Sequence, residues 1–337
     1  MSHARVTTVE HRGWEIVRMT NSHLEVDVVP GKGADILAVR WLPLDLNVLW
    51  TSPWGLRPRH AAPPGGDSVT NFLANYPGGW QTIFPNGGDA VVENGVELGF
   101  HGEASLAYWD WEVAGGETEV SQVRMETTLS RIPFALEKRV SLRGRVLRVD
   151  ETARNLGRVP LEVMWSHHPA FGAPFIAGAR VEAAAGRFIA DDQRDVPDGD
   201  LRPGASGRWP QGITRDGSSA DLSQLPDEDA SLDRFGYLTE FEEGRASIIN
   251  DSLPLECALR WDVETFPHAW FWLEAHATAG YPWYRQAHVF AIEPASSYPG
   301  QGIAAVRQKT GTQMPFESGE SRSAWVELEL SDELSRD

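Results

Sequence analysis

Between residues 106 and 166 apolar and polar side chains alternate in short runs, at 109–113, 123–129, 134–142, 146–155 and 161–166. Gly144, Asn155-Leu156-Gly157 and Pro160 punctuate them. Successive side chains leave a strand on opposite faces, so a period of two marks half-buried strands, and no useful stretch shows the 3.6-residue period of a helix. Closely spaced strands joined by short turns predict an antiparallel sandwich or barrel. The pattern extends both ways, with strands predicted at 14–19, 24–29 and 35–41, and again at 245–250, 255–262, 269–276, 286–293 and 324–330. No 20–50-residue repeat, heptad or low-complexity tract divides the chain, so the expectation is one all-β domain over residues 1–337. Two stretches depart from the alternation. Residues 43–79 are irregular and rich in Pro and Gly, as in a loop that covers a site. Residues 191–233, rich in Asp, Gly, Pro and Ser, read as an excursion over the surface.

Charge narrows the possible partners. A net charge of −18 disfavours nucleic acid and anionic membrane surfaces. A single cysteine, Cys257, excludes an internal disulfide and a cysteine-cluster metal site. Lysine occurs only at 32, 138 and 309, which leaves few residues for Schiff-base chemistry. The N-terminal stretch has no apolar core of a signal peptide and no apolar run nears ~20 residues, so a cytoplasmic protein is expected. Fourteen tryptophans suit the C–H faces of a sugar ring, and equally a large core.

Two motifs carry acid–base groups. The run 286–293 alternates so that Ala287, Val289, Ala291 and Glu293 share one face, with His288, Phe290 and Ile292 on the other. Pro294 cannot donate to a ladder, which predicts Glu293 as the last paired residue, either a general base or a structural strand-end carboxylate. In Met164-Trp165-Ser166-His167-His168-Pro169 the two histidines point to opposite faces and Pro169 is expected to end the ladder at His168. An imidazole and a carboxylate placed across a neutral substrate suit a reaction that removes one proton and supplies another, and sugar anomerisation is such a reaction.

Glycines flank His101, so the backbone there either approaches a ligand or makes a tight bend. Trp270, Trp272 and Glu274 share a strand face that could form a sugar platform, with Trp283 nearby in sequence. The ten histidines form no His-x-His or His-Glu-x-x-His pattern, although His276 and His288 flank a turn at 280–283, so no metal is expected. A glycoside hydrolase would need a second carboxylate beside Glu293, Glu274 or Glu103. A non-catalytic sugar-binding protein is the other alternative.

The order of His101-Gly102 after Pro85-Asn86-Gly87-Gly88, then Asn155, His168-Pro169-Ala170-Phe171, Ile292-Glu293-Pro294 and Glu317-Ser318-Gly319-Glu320 resembles the galactose mutarotase-like (aldose 1-epimerase) superfamily over residues 14–330. The resemblance implies an antiparallel β-supersandwich that interconverts α and β anomers without cofactor. His168 would be the acid, Glu293 the base, and His101 a ligand for sugar hydroxyls. The family's arginine before its His-Gly motif is absent here, so Gln81 and Asn86 are expected to bind the sugar, with Trp272 on its ring and Asp233 at the position of a binding aspartate. Without that arginine, an unphosphorylated sugar is expected.

Overall fold

The computed structural model describes residues 4–62, 65–114, 120–194 and 196–332; residues 1–3 of the N-terminal stretch lie outside them. One run of antiparallel pairings joins the strands. From one edge it passes through Arg5–His11, Trp14–Thr20, Leu24–Val29 and Asp35–Trp41. It continues into Trp80–Ile83, Ser166–Gly172, His288–Ala295 and His268–Ala275. Leu232–Asn250 is the hinge strand. Its first half pairs with His268–Ala275 and its second with Leu255–Trp261, so one 19-residue strand serves two parts of the sheet. Beyond it lie Ser321–Ser331, Val146–Asn155, Phe134–Arg143, Val120–Thr128 and Asp110–Val113.

The main core draws Val26, Val39 and Trp41 from the first strands, Phe271, Phe290 and Ile292 from the middle ones, and Val140, Val149 and Val326 from the last. Two parts of one sheet therefore bury a common apolar layer, as the period of two predicts. The alternation along the middle strands also holds. Phe290 and Ile292 enter the core, while Val289 and Ala291 join a second cluster with Trp50, Tyr76, Trp272 and Trp283 on the opposite face.

Several predicted boundaries change. The strand expected at 161–166 is two elements, Leu161–Val163 against Met314–Phe316 and Ser166–Gly172 in the main sheet. Arg180–Ala190 and the first half of Leu232–Asn250 are additional strands, the former carrying an irregularity between Ala183 and Ala185 that breaks its alternation. The irregular stretch 43–79 contains the helix Ser68–Ala74, whose first turn is capped by Asp67 accepting the Thr70 N–H at 2.8 Å. At seven residues it is too short to display a helical period. Among the described residues no helix is long and apolar enough to cross a membrane.

The prolines end neither strand. His288–Ala295 continues past Glu293, and Ser166–Gly172 continues past Pro169. Each proline is accommodated by its other neighbour, Pro294 opposite Ala269 and Pro169 opposite Trp80. Between these two strands, however, the ladder pairs Ser166 with Ala295 and Ala170 with Ala291 and lapses in between. A proline contributes no N–H, so a lapse with one proline on each side is what the missing donors dictate. The unbroken register across the gap brings His168 opposite Glu293.

Candidate active site

His168 and Glu293 lie at that gap on adjacent strands, with His168 Nε2 3.6 Å from Glu293 Oε1. Both are buried, at 5% and 2% exposure, and both line a cavity of about 400 Å3. Sequence reasoning set them across a substrate. The structure corrects this, because they stand side by side on one wall. Burial disfavours charge on each, holding the His168 imidazole at about 4 and pushing the Glu293 carboxyl well above its ordinary range. A pair with one proton between them can take a proton at one end and give one at the other.

The other walls come from distant segments. Trp270 and Trp272 alternate out of the core on His268–Ala275 and line the cavity with Trp283. The Trp272 ring stands 5.7 Å from His168 and 6.1 Å from Trp283. Glu274, expected on the same platform, instead accepts the N–H groups of Ala277 and Thr278 at 2.7 and 2.9 Å and caps a turn. The stretch 43–79 supplies Val69, Phe72, Leu73 and Tyr76 as a cover. His101 takes a left-handed φ of 57° and its Nδ1 accepts the Gly88 N–H at 3.1 Å, which leaves the ring proton on Nε2. Burial, with His168 beside it, keeps His101 neutral. Gly102 at φ 73° makes this bend possible, since a Cβ there would meet the Phe84 carbonyl oxygen at 2.3 Å.

Three predicted binding residues lie elsewhere. Gln81 does not line the cavity; its amide donates to the Gly78 carbonyl at 2.6 Å and to Asp35 at 3.1 Å. Asn86 is fully buried, donating to Asp89 and Gly99 carbonyls and accepting from Ile303 N–H, so its amide ties three backbone segments together. Asp233 forms a two-pronged pair with Arg194, at 3.0 Å between Oδ1 and Nε and through Oδ2 and Nη2. It is Arg194, from the excursion 191–233, that reaches the cavity, together with Asp191, Gln193 and Gln301. Asp191 is itself held by the N–H groups of Gln193 and Arg194 at 2.8 and 2.7 Å and by Gln301 at 2.8 Å. No signal in the aperiodic excursion singles out Arg194, because its place depends on a partner far along the chain. Neither Glu103 nor Glu274 lines the cavity, so neither pairs with Glu293 as a hydrolase would require.

Burial of imidazoles has a consequence for stability. His167, His168 and His268 are each lowered by burial from an ordinary 6.5 to about 4. A histidine whose folded value is depressed leaves the unfolded chain binding the extra proton, so its stabilisation is complete above 6.5 and declines as pH falls toward 4. Burial lowers His101 and His288 as well, whereas Glu293, Asp35 and Asp89, raised by burial, act in the opposite sense but are fewer than the five histidines. Equilibrium unfolding should therefore show stability falling between pH 6.5 and 4.5, at about 1.4 kcal/mol per pH unit for each net proton taken up.

The fold defined by this sheet is shared with solved structures. A galactose mutarotase-like protein from Clostridium acetobutylicum superposes with a TM-score of 0.71 at 15% identity, covering 98% of this chain and 99% of that one. A galactose mutarotase-like protein from Lactobacillus casei gives 0.63 at 18%, covering 97% and 100%. The Slr1438 protein of Synechocystis gives 0.66 at 18%, covering 98% and 96%. The fold is thus the galactose mutarotase-like β-supersandwich. The chain belongs to the family described as domain of unknown function DUF4432, whose model matches residues 11–203. No curated protein sequence matches it.

Proposed function

We propose that the protein is an aldose 1-epimerase, interconverting α and β anomers of an unphosphorylated sugar by general acid–base ring opening. The observation that carries this reading is the His168–Glu293 pair, 3.6 Å apart on one wall of a tryptophan-lined cavity. The anomeric hydroxyl and the ring oxygen are bonded to the same carbon, so a side-by-side acid and base suit them better than a pair set across a ring. With the proton they share on His168, Glu293 takes the anomeric proton as His168 supplies one to the ring oxygen. The C1–O5 bond breaks, C1 becomes an aldehyde carbon, and rotation about C1–C2 precedes closure with the roles reversed. His101 donates from Nε2 to a sugar oxygen and Trp272 covers a C–H face.

Arg194 supplies the planar donors that the segment before His101 lacks. Its charge is offset by Asp233, which fits a neutral polyol rather than a phosphate. Arg194→Ala is expected to raise KM about tenfold with a smaller change in kcat, since the hydrogen bonds it loses are made in ground and transition states alike. Asp233→Ala should act in the same direction by releasing the guanidinium. Polarimetry on freshly dissolved monosaccharides tests the main reading. Acceleration of mutarotation supports it, whereas binding of a sugar without acceleration replaces it with a sugar-binding role.

A further inference from the structure

Glu293 Oε2 is buried and accepts no hydrogen bond, and the Tyr76 hydroxyl is buried and makes none. One is an acceptor without a donor, the other a donor without an acceptor, and both residues line the same cavity. The Glu293 charge is felt at Tyr76, where it adds to burial in raising the phenol well above its ordinary value, so Tyr76 keeps its proton. Packing does not account for the hydroxyl. The ring sits 5.5 Å from Phe72, 5.5 Å from His168, 5.9 Å from Trp50 and 6.4 Å from Trp283, contacts that a phenylalanine would make equally well. A buried hydroxyl without a partner is destabilising, so its presence calls for an acceptor at some stage of the working cycle.

We propose that Tyr76 is the positioning residue of Glu293, its phenol O–H closing onto Oε2 when the carboxyl ionises and so setting the strength of the base. The inference rests on the reading of Glu293 as the proton acceptor. Other charged or titratable groups surround the pair. His168 approaches from the neighbouring strand, and His101, Asp89, Asp191 and Arg194 line the rest of the cavity. Asp35, also felt at Tyr76, is paired with Lys32 and Gln81. None of these donates a hydrogen bond to Glu293. The buried unpartnered groups of the cavity besides Glu293 Oε2 are the Tyr76 hydroxyl and His168 Nδ1, and of these Tyr76 offers the hydroxyl proton, since the His168 ring already faces Glu293 through Nε2.

A hydrogen bond to the ionised form lowers a carboxyl's pKa, so its removal must raise it. Carboxyl infrared absorbance of the whole protein is titrated with pH, and the signal missing in Glu293→Gln is assigned to Glu293. In Tyr76→Phe that signal should titrate about one pH unit higher. The acid limb of kcat/KM should move up by the same amount, with KM changing much less. An unmoved Glu293 titration in a folded Tyr76→Phe protein overturns the proposal. A shifted titration in a protein that accelerates no sugar's mutarotation keeps the Tyr76–Glu293 linkage and removes only the enzymatic reading.

Discussion

Glu293→Gln should slow anomer interconversion by about a thousandfold or more, the scale of a lost general base, while leaving the fold intact. The amide has the shape of the carboxyl it replaces but cannot take a proton. Its effect on stability should have the opposite sign. Burial holds the Glu293 carboxyl well above its ordinary range, and its Oε2 accepts no hydrogen bond in the structure. The folded state thus carries a desolvation cost at neutral pH that glutamine lacks, and the variant should melt at the same temperature or higher. Loss of rate with no loss of stability marks a residue kept for chemistry. Exchange between anomer signals, followed by NMR on a sugar the wild type turns over, reads the first quantity, and a thermal melt reads the second. Retention of the full rate would move the base to another group and end the assignment of roles proposed here. His168→Ala should lose about a hundredfold or more by the same measurement, and a larger residual rate there would point to water entering the cavity as the acid.

How far the sequence disclosed this site differs from residue to residue. His168 and Glu293 were legible because the signal is local, an acid–base group beside a proline at the end of an apolar run. That signal concealed its own mechanism. The prolines were read as ends of strands, and they instead open a lapse between two strands that continue, which follows only once it is known that the strands are neighbours. Trp272 and Trp270 were legible from period-two alternation on a single strand, and Glu274 was misplaced by the same rule because the chain turns at Ala277 and its carboxyl caps the turn. Gln81 and Asn86 lie in a polar-aromatic stretch where nothing local tells an amide that binds a ligand from one that satisfies backbone groups. Asn86 does the latter for three separated segments. Arg194 became visible only through Asp233, 39 residues away across an aperiodic excursion. The β architecture was readable throughout most of the chain because alternation is written within each strand. Arg180–Ala190 escaped because an irregular pairing and a run of alanines erase its alternation.

Glu151→Ala should be the most destabilising single change in the core, at about 3–5 kcal/mol, the scale of a broken buried ion pair. Glu151 is 4% exposed and lies among groups that depend on it. Its Oε1 stands 3.2 Å from Lys138 Nζ and accepts the Thr82 hydroxyl. Its Oε2 accepts Trp165 Nε1 at 3.1 Å and stands 3.5 Å from His167 Nε2. Burial opposes its ionisation, but His167, Lys138, Thr82 and Trp165 together hold it below its ordinary range. Removing it leaves a buried ammonium without a direct ion pair, facing the Ala34 carbonyl at 3.2 Å, the Trp109 ring, 5.3 Å to its centre, and the charge of Asp35, and it orphans the Trp165 donor as well. Lys138→Met should cost less, because Glu151 keeps two neutral donors and can regain a proton or share one with His167. Exchanging both residues for apolar ones of similar volume should recover much of the loss, since an intact buried pair repays little more than its own desolvation. Denaturant titration of the two single variants and the double variant measures this order. Because His167 faces this network while His168 faces the cavity from the adjacent position, Lys138→Met should also leave the acid–base pair in place. A folded Lys138→Met protein with wild-type kcat and lowered stability would separate the two sides of the Ser166–Gly172 strand, one devoted to holding the sandwich together and the other to the reaction.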